Sequence, residues 1–288
     1  MAGANGGSGA GFGGHLAGTG RSMLADARHA LADPSLTDAE RVHELRKAFK
    51  RWRAFLRLVA GPIGGPAEEM RLKARALMRS LSGARDAQGA LDAIDDLAKH
   101  GSSLSPRTLA TIRSRLTASR DAAESASLTP EMRRSIDAYI DEATQALEAW
   151  PLADVGFAAI ADALTVTFRR ARSLAPDDWA DVDPSHLHEL RRRVVEHRHQ
   201  MELIEPLWPR VTKAWAEEAQ RLRNRLGACQ DLSVLASFVA PHQPLAPWRS
   251  RLTPAIAARL AGRLFAEKPK AFRKRIAALW TARKRRKG

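Results

Sequence analysis

Between Thr37 and Ala60 the chain places its densest chemistry on one side of a helical stretch. Laid out at about 100° per residue, Val42, Leu45, Phe49, Trp52, Leu56 and Val59 form an apolar face, and His43, Arg46, Lys47, Lys50, Arg51, Arg53 and Arg57 lie opposite. From Val42 to Arg57 the one carboxylate is Glu44. A solvated helix face interleaves signs, because opposite charges at i,i+4 attract and like charges repel. Here His43/Lys47, Lys47/Arg51 and Arg53/Arg57 set basic groups beside one another at that spacing. Such a face costs stability until an anion neutralises it. Guanidinium forks and ammonium groups are the donors that hold successive phosphates.

A weaker copy lies further along. His188, Arg191, Arg192 and Arg198 reproduce the face with His199 beside them, while Val195, Glu196 and Glu202 stand where Lys50, Arg51 and Arg57 stood. The stretch after the first basic face adds Arg71, Lys73, Arg75 and Arg79 around Met70, Ala74, Leu77 and Leu81. Its later counterpart carries Arg221, Arg223 and Arg225, with Gln220 in place of Arg75. The first copy is therefore expected to do most of the holding.

Other chemistry is poorly supported. Neither His43 nor His188 belongs to a His-Glu-x-x-His pattern, and His186/His188 and His197/His199 are i,i+2 pairs that diverge on a helix. Cys229 is the single cysteine, so a cysteine metal cluster and an internal disulfide are both excluded. No Arg-His-Gly motif accompanies either histidine, which argues against a phosphohistidine nucleophile. The two imidazoles are expected to donate hydrogen bonds to an anion. No catalytic residue, metal or cofactor is expected.

The elements that carry these residues are helices. A net charge of +15 and an isoelectric point near 11.0 call for a polyanionic partner. A composition rich in Ala, Leu and Arg, with Tyr139 the sole tyrosine, favours helix over sheet. Residues 1–20, dominated by Gly, Ala and Ser, lack the charged and apolar regions of a secretory signal and are expected to be a flexible leader. No apolar run is long enough to span a membrane, and a cytoplasmic location is expected. The run from Lys268 to Lys287 reads as an amphipathic last helix with a cationic tail.

Breakers at Asp33-Pro34, Gly61-Pro62 to Gly65-Pro66, Gly101 to Pro106, Thr129-Pro130, Trp150-Pro151, Pro176, Asp183-Pro184, Pro206 to Pro209, Pro241 to Pro247 and Pro254 divide the chain into roughly a dozen helices without a convincing strand. Val42-His43-Glu44-Leu45-Arg46-Lys47 recurs as Leu187-His188-Glu189-Leu190-Arg191-Arg192, an offset of 188 − 43 = 145. Asp86 recurs as Asp231 at the same offset, 231 − 86 = 145. An internal duplication with a seam near Trp150-Pro151 follows, giving helical repeats over 21–150 and 151–288.

Both copies of the His-Glu-Leu-Arg helix, together with Leu81-Ser82-Gly83-Ala84-Arg85-Asp86-Ala87 and Leu226-Gly227-Ala228-Cys229-Gln230-Asp231, resemble the conserved histidine α-helical domain (CHAD) family over nearly the whole chain. That resemblance implies an all-α fold of two pseudo-symmetric four-helix-bundle repeats with additional helices and a basic cavity between them. It implies inorganic polyphosphate as ligand, held by His43, Arg46, Lys50, Arg53, Arg57 and Arg75 with His188, Arg191 and Arg198, and association with polyphosphate granules. Lys47, Lys73, Arg79 and Arg192 join this set from their places on the same helices. Some relatives carry a triphosphate tunnel metalloenzyme domain, but its Glu-x-Glu-x-Lys strand motif is absent from this chain. Nucleic acid is the rival ligand, although Phe49, Trp52 and Phe55 fall on or beside the apolar side, so the basic faces lack aromatics on which bases could stack. A polyphosphate phosphohydrolase using His43 or His188 is the rival enzyme.

Overall fold

The protein was analysed as a computed structural model that describes residues 11–81, 83–100, 104–179 and 182–261, with residues 271 and 274. The cationic run from Lys268 to Lys287 otherwise lies outside the described residues. Among those described there are ten α-helices and no strand. They are α1 (Phe12–Ala32), α2 (Asp38–Ile63), α3 (Gly65–Ser80), α4 (Gly83–Lys99), α5 (Pro106–Ser127), α6 (Pro130–Ala149), α7 (Phe157–Ser173), α8 (Pro184–Leu203), α9 (Pro209–Phe238) and α10 (Arg249–Ala261).

Local signals set most of the starts. Thr37 caps α2 in a full capping box, accepting from the Glu40 amide while the Glu40 carboxylate accepts from the Thr37 amide. Ser105, Thr129 and Asp183 cap α5, α6 and α8, each followed by a proline at the first helical position. Two expected breaks do not break. α2 runs through Pro62 and stops at Gly64, which takes φ +79°. Pro254 lies inside α10, where its missing N–H falls early in the helix and costs one backbone bond.

The expected leader needs correction over its second half, because α1 begins at Phe12 and buries Leu16, Gly20, Met23 and Leu24. The glycines there serve close packing. A Cβ on Gly13 would lie 1.9 Å from the Leu152 carbonyl oxygen, and one on Gly20 would sit 3.0 Å from the Leu147 methyls and 3.2 Å from Phe55. Gly-rich composition reads as flexible because it hides which glycines a neighbouring backbone has selected.

Two pairs of helix starts lie close to the offset read from the sequence. α7 begins 157 − 12 = 145 residues after α1, and α8 begins 184 − 38 = 146 after α2. One joint differs: α3 and α4 are separate, whereas α9 runs unbroken for 30 residues over the corresponding stretch. Ala228, a strong helix former, stands there at the place of Gly83.

Buried side chains do not divide at the Trp150-Pro151 seam. The largest cluster joins Leu16, Phe49, Trp52, Ile140, Leu164, Met201 and Trp215, from both sides of it. A second joins Ile94 and Leu116 of α4 and α5 to Leu235 and Leu252 of α9 and α10. A third lies between α8 and α9 around Leu190 and Leu226. Among the described residues, two of the three clusters thus draw side chains from both sides of the seam. At the centre, the Trp52 indole donates to the Tyr139 hydroxyl at 2.7 Å, which donates to the Met70 carbonyl at 3.0 Å. These two bonds lock α2, α3 and α6 together and fix the rotation of α2.

Candidate anion-binding site

With Leu45, Phe49, Trp52, Leu56 and Val59 each no more than 1% exposed, the opposite side of α2 is committed to whatever lies beyond the core. α3 and α8 both pack against α2, and α9 packs against α4 and α8. Cations from five helices meet as a result.

Lys50 is an exposed residue of α2. Its side chain reaches solvent, and it has no ion pair or hydrogen bond among the described residues. Surrounding protein, reinforced by the charges of Arg46, Arg85, Arg191 and Arg223, pushes its pKa down to about 8. A group can be wetted at its tip and still be poorly solvated when protein and like charge enclose it. Arg53, one turn on, is lowered to about 10 by burial and then by Arg71, Arg192 and Arg75. Burial lowers Arg46 and Arg191 as well, with Arg85 acting on both, while Asp86 offsets part of this at Arg46 and Asp231 part of it at Arg191.

Several of these groups are held but not neutralised. Arg46 donates to the Leu81 carbonyl at 2.6 Å, tying α2 to the end of α3. The Nε atoms of Arg53 and Arg191 are buried without a hydrogen-bond partner. The His188 Nδ1 lies 3.1 Å from the Gln230 side-chain oxygen, and burial with the charge of Arg85 lowers its pKa. Asp231 is the internal acid, pushed up to about 6 by burial, with Asp92 adding to the rise and Arg191 opposing it.

Further along α2 the charge is balanced. Arg57 pairs with Glu196, which also accepts from Arg193 at 3.2 Å. Arg71 donates its Nε to Glu68 at 2.6 Å, and Arg198 pairs with Glu202 at 2.7 Å. The acidic substitutions of the second repeat thus act directly on the first repeat's arginine as well as within α8.

Of the residues expected at the site, Arg46, Lys50, Arg53, Arg75, His188, Arg191 and Arg192 act on one another's charge. Arg192 pairs with Glu189 at 2.7 Å, and Arg57 and Arg198 also carry carboxylate partners. Lys73 belongs elsewhere: it bridges Glu69 at 3.1 Å and Glu142 of α6 at 2.5 Å. Lys47, an exposed side chain, pairs with Glu44 at 3.1 Å. His43 is exposed on α2, and Arg79 is exposed in the last turn of α3. Two important members were missed as site residues. Arg85 lies on α4, beyond the reach of α2's periodicity, although it stood within the Leu81–Ala87 motif. Arg223 has Met78 as its repeat counterpart, so no symmetry pointed to it.

A separate cleft of about 410 Å³ lies between α1 and the end of α8, lined by His15, Thr19, Met23, Arg51, His199 and Glu202 among others. Of its lining residues, His199 pairs with Glu202 at 2.9 Å and Arg51 with Asp26 of α1 at 3.2 Å. Among the described residues no group of three or more His, Cys, Asp or Glu is placed to hold a metal ion. No helix among them is long and apolar enough to cross a membrane.

The model of the CHAD domain matches residues 17–240, and the chain belongs to the CHAD family. The crystal structure of the CHAD domain from the plant Ricinus communis superposes with a TM-score of 0.65 at 19% sequence identity, over 94% of this chain and 91% of that one. At that identity the likeness establishes the shared all-helical fold. No curated protein matches the chain.

Proposed function

We propose that this chain is a non-enzymatic receptor for inorganic polyphosphate, held along the cluster that α2 and α8 share with α3, α4 and α9. One observation carries the reading: Lys50 has no ion pair among the described residues, and the charges of Arg46, Arg85, Arg191 and Arg223 help lower its pKa. Cations brought this close with few carboxylates are a standing cost to the folded chain, and a bound polyanion removes it. A linear polymer of phosphates suits a row of sites running from Arg46 through Lys50 to Arg53 and Arg75. CHAD membership agrees with a polyphosphate-related role. A receptor of this kind would collect on polyphosphate granules in the cytoplasm.

Nucleic acid is disfavoured as ligand, because Phe49, Trp52 and Phe55 are at most 1% exposed and cannot stack on bases. The deciding measurement is a titration with polyphosphates of defined length at two salt concentrations, with duplex DNA as competitor. Saturable binding that weakens steeply with salt and resists DNA is expected. Displacement by DNA at equal phosphate concentration overturns the reading. Phosphate release with Mg²⁺, abolished by His43→Ala, would replace it with a phosphohydrolase.

A further inference from the structure

The cleft of about 410 Å³ between α1 and the end of α8 is lined by none of the side chains assigned to polyphosphate. α8 ends at Leu203, so the Leu203 carbonyl has no partner within the helix. His15 of α1 supplies one, its Nε2 lying 3.3 Å from that oxygen. A carbonyl only accepts, so Nε2 carries the proton, and in the neutral imidazole Nδ1 keeps a lone pair. Thr19, one turn further along α1, donates its hydroxyl proton to the His15 carbonyl at 2.9 Å and likewise keeps its lone pairs.

The facing wall has the same character. Both Glu202 oxygens are taken, one by Arg198 at 2.7 Å and the other by the His199 Nδ1 at 2.9 Å. Although burial opposes it, these contacts hold the Glu202 carboxyl below its usual value, so it accepts and His199 Nδ1 donates. The Nε2 of neutral His199 is then an acceptor too. Arg51, the cation lining the cleft, is matched by Asp26 at 3.2 Å, while Glu205 has no ion pair among the described residues. The last turn of α8 holds no basic side chain, so the negative end of that helix lies beside the same space.

We infer that this cleft binds a small organic ammonium ion, a primary amine on an aliphatic chain. The ammonium N–H groups meet the His15, Thr19 and His199 acceptors and the Glu205 carboxylate, and buried Met23 and Leu203 cover the methylenes. An ammonium has three donors and no acceptor, which complements a lining whose open valences, Arg51 apart, are acceptors. The volume is in the range of small-molecule sites. A bare metal ion suits these atoms less well, because among the described residues no three His, Cys, Asp or Glu are placed to share one. An anion would find Arg51 already held by Asp26 and would be repelled by Glu205.

The test is calorimetric titration of the full chain with 1,5-diaminopentane at about pH 8, where an ordinary imidazole is neutral. Saturable binding is expected, weakened at least about fivefold by His199→Phe and by Glu205→Gln. The second variant changes an exposed residue and serves if the first does not fold. The bis-trimethylammonium analogue has the same charge and no N–H donor, and should bind at least about tenfold more weakly. Glutarate, of equal length and opposite charge, should not bind. Equal affinity for the two cations overturns the inference, since charge alone would then hold them. Unaltered diamine binding in both variants places the amine elsewhere and overturns it too. Zn²⁺ binding that His199→Phe abolishes, with none of the diamine, makes the cleft a metal site instead. Failure of the diamine to bind at all overturns the inference and leaves the polyphosphate reading, which rests on other side chains, to its own titration.

Discussion

Lys50 on α2 and Arg191 on α8 oppose one another with like charge, close enough that Arg191 helps depress the Lys50 pKa, and no carboxylate among the described residues pairs with the amine. The two residues sit on helices that pack together while their apolar sides are buried, so neither can turn away. Basic side chains of the two helices are thereby held near one another.

Removing a cluster cation should therefore separate stability from binding. Lys50→Met is expected to leave the ligand-free melting temperature unchanged or raised, because it deletes a poorly solvated charge. The same change should weaken polyphosphate binding about tenfold, as loss of a charge-assisted contact worth about 1.5 kcal/mol does. Lys73→Ala, which cuts a surface pair with Glu142, should leave affinity within about twofold. Calorimetric titration alongside thermal melts checks all three.

Glu196→Gln should strengthen binding. It releases Arg57 and Arg193 from their shared carboxylate and extends the cationic row by a turn of α2. Because the pair is largely buried, the ligand-free protein should lose about 1–2 kcal/mol of stability. Weaker binding by this variant would show that the row ends before Arg57.

Affinity should rise as pH falls from 7 through 6. Asp231 has a pKa raised to about 6, so it discharges in that interval and leaves Arg191 and Arg223 less compensated. Below that pH the native state binds the proton that an unfolded aspartate, with a pKa near 3.9, does not yet bind. This contribution to stability therefore grows as pH falls from about 6 toward about 4. Asp231→Asn should hold the high affinity at pH 7 and flatten the step. A step of unchanged size in that variant assigns it to another group.

Lys50 predicts the opposite limb. Its folded pKa of about 8 lies below the unfolded value near 10.4, so the unfolded state binds more protons between them. Stability from this group should rise with pH over that window, while polyphosphate affinity falls as the amine loses its charge. Lys50→Met should lack both trends in titrations and melts from pH 7 to 10.

Gly13→Ala should be severely destabilising, because its Cβ would collide with the Leu152 carbonyl oxygen at the docking point of α1. A loss of about 3 kcal/mol, at the upper end of overpacking costs, is expected in denaturant unfolding. Deletion of residues 1–20 should be worse still, since Leu16 and Gly20 leave the core with it.

The sequence by itself determined that the chain is helical, where most helices start, which side of α2 is buried, and that the opposite side is cationic. These follow from local propensity, capping and 3.6-residue periodicity, all legible within a few turns of chain. It also carried the 145-residue repeat, and the family resemblance rested on that. What only the tertiary structure decided is which charges are left unbalanced. Lys73 and Arg57 look equivalent to Lys50 and Arg53 in a helical projection, but α6 supplies Glu142 to the first and α8 supplies Glu196 to the second. Arg85 and Arg223 join the cluster from helices that share no periodicity with α2. Buried clusters that draw side chains from both sides of the Trp150-Pro151 seam are likewise visible only in the packed structure. Periodicity fixes the direction of a side chain relative to its own helix. Its partners, and so its net charge environment, depend on helices distant in the chain that only packing brings near.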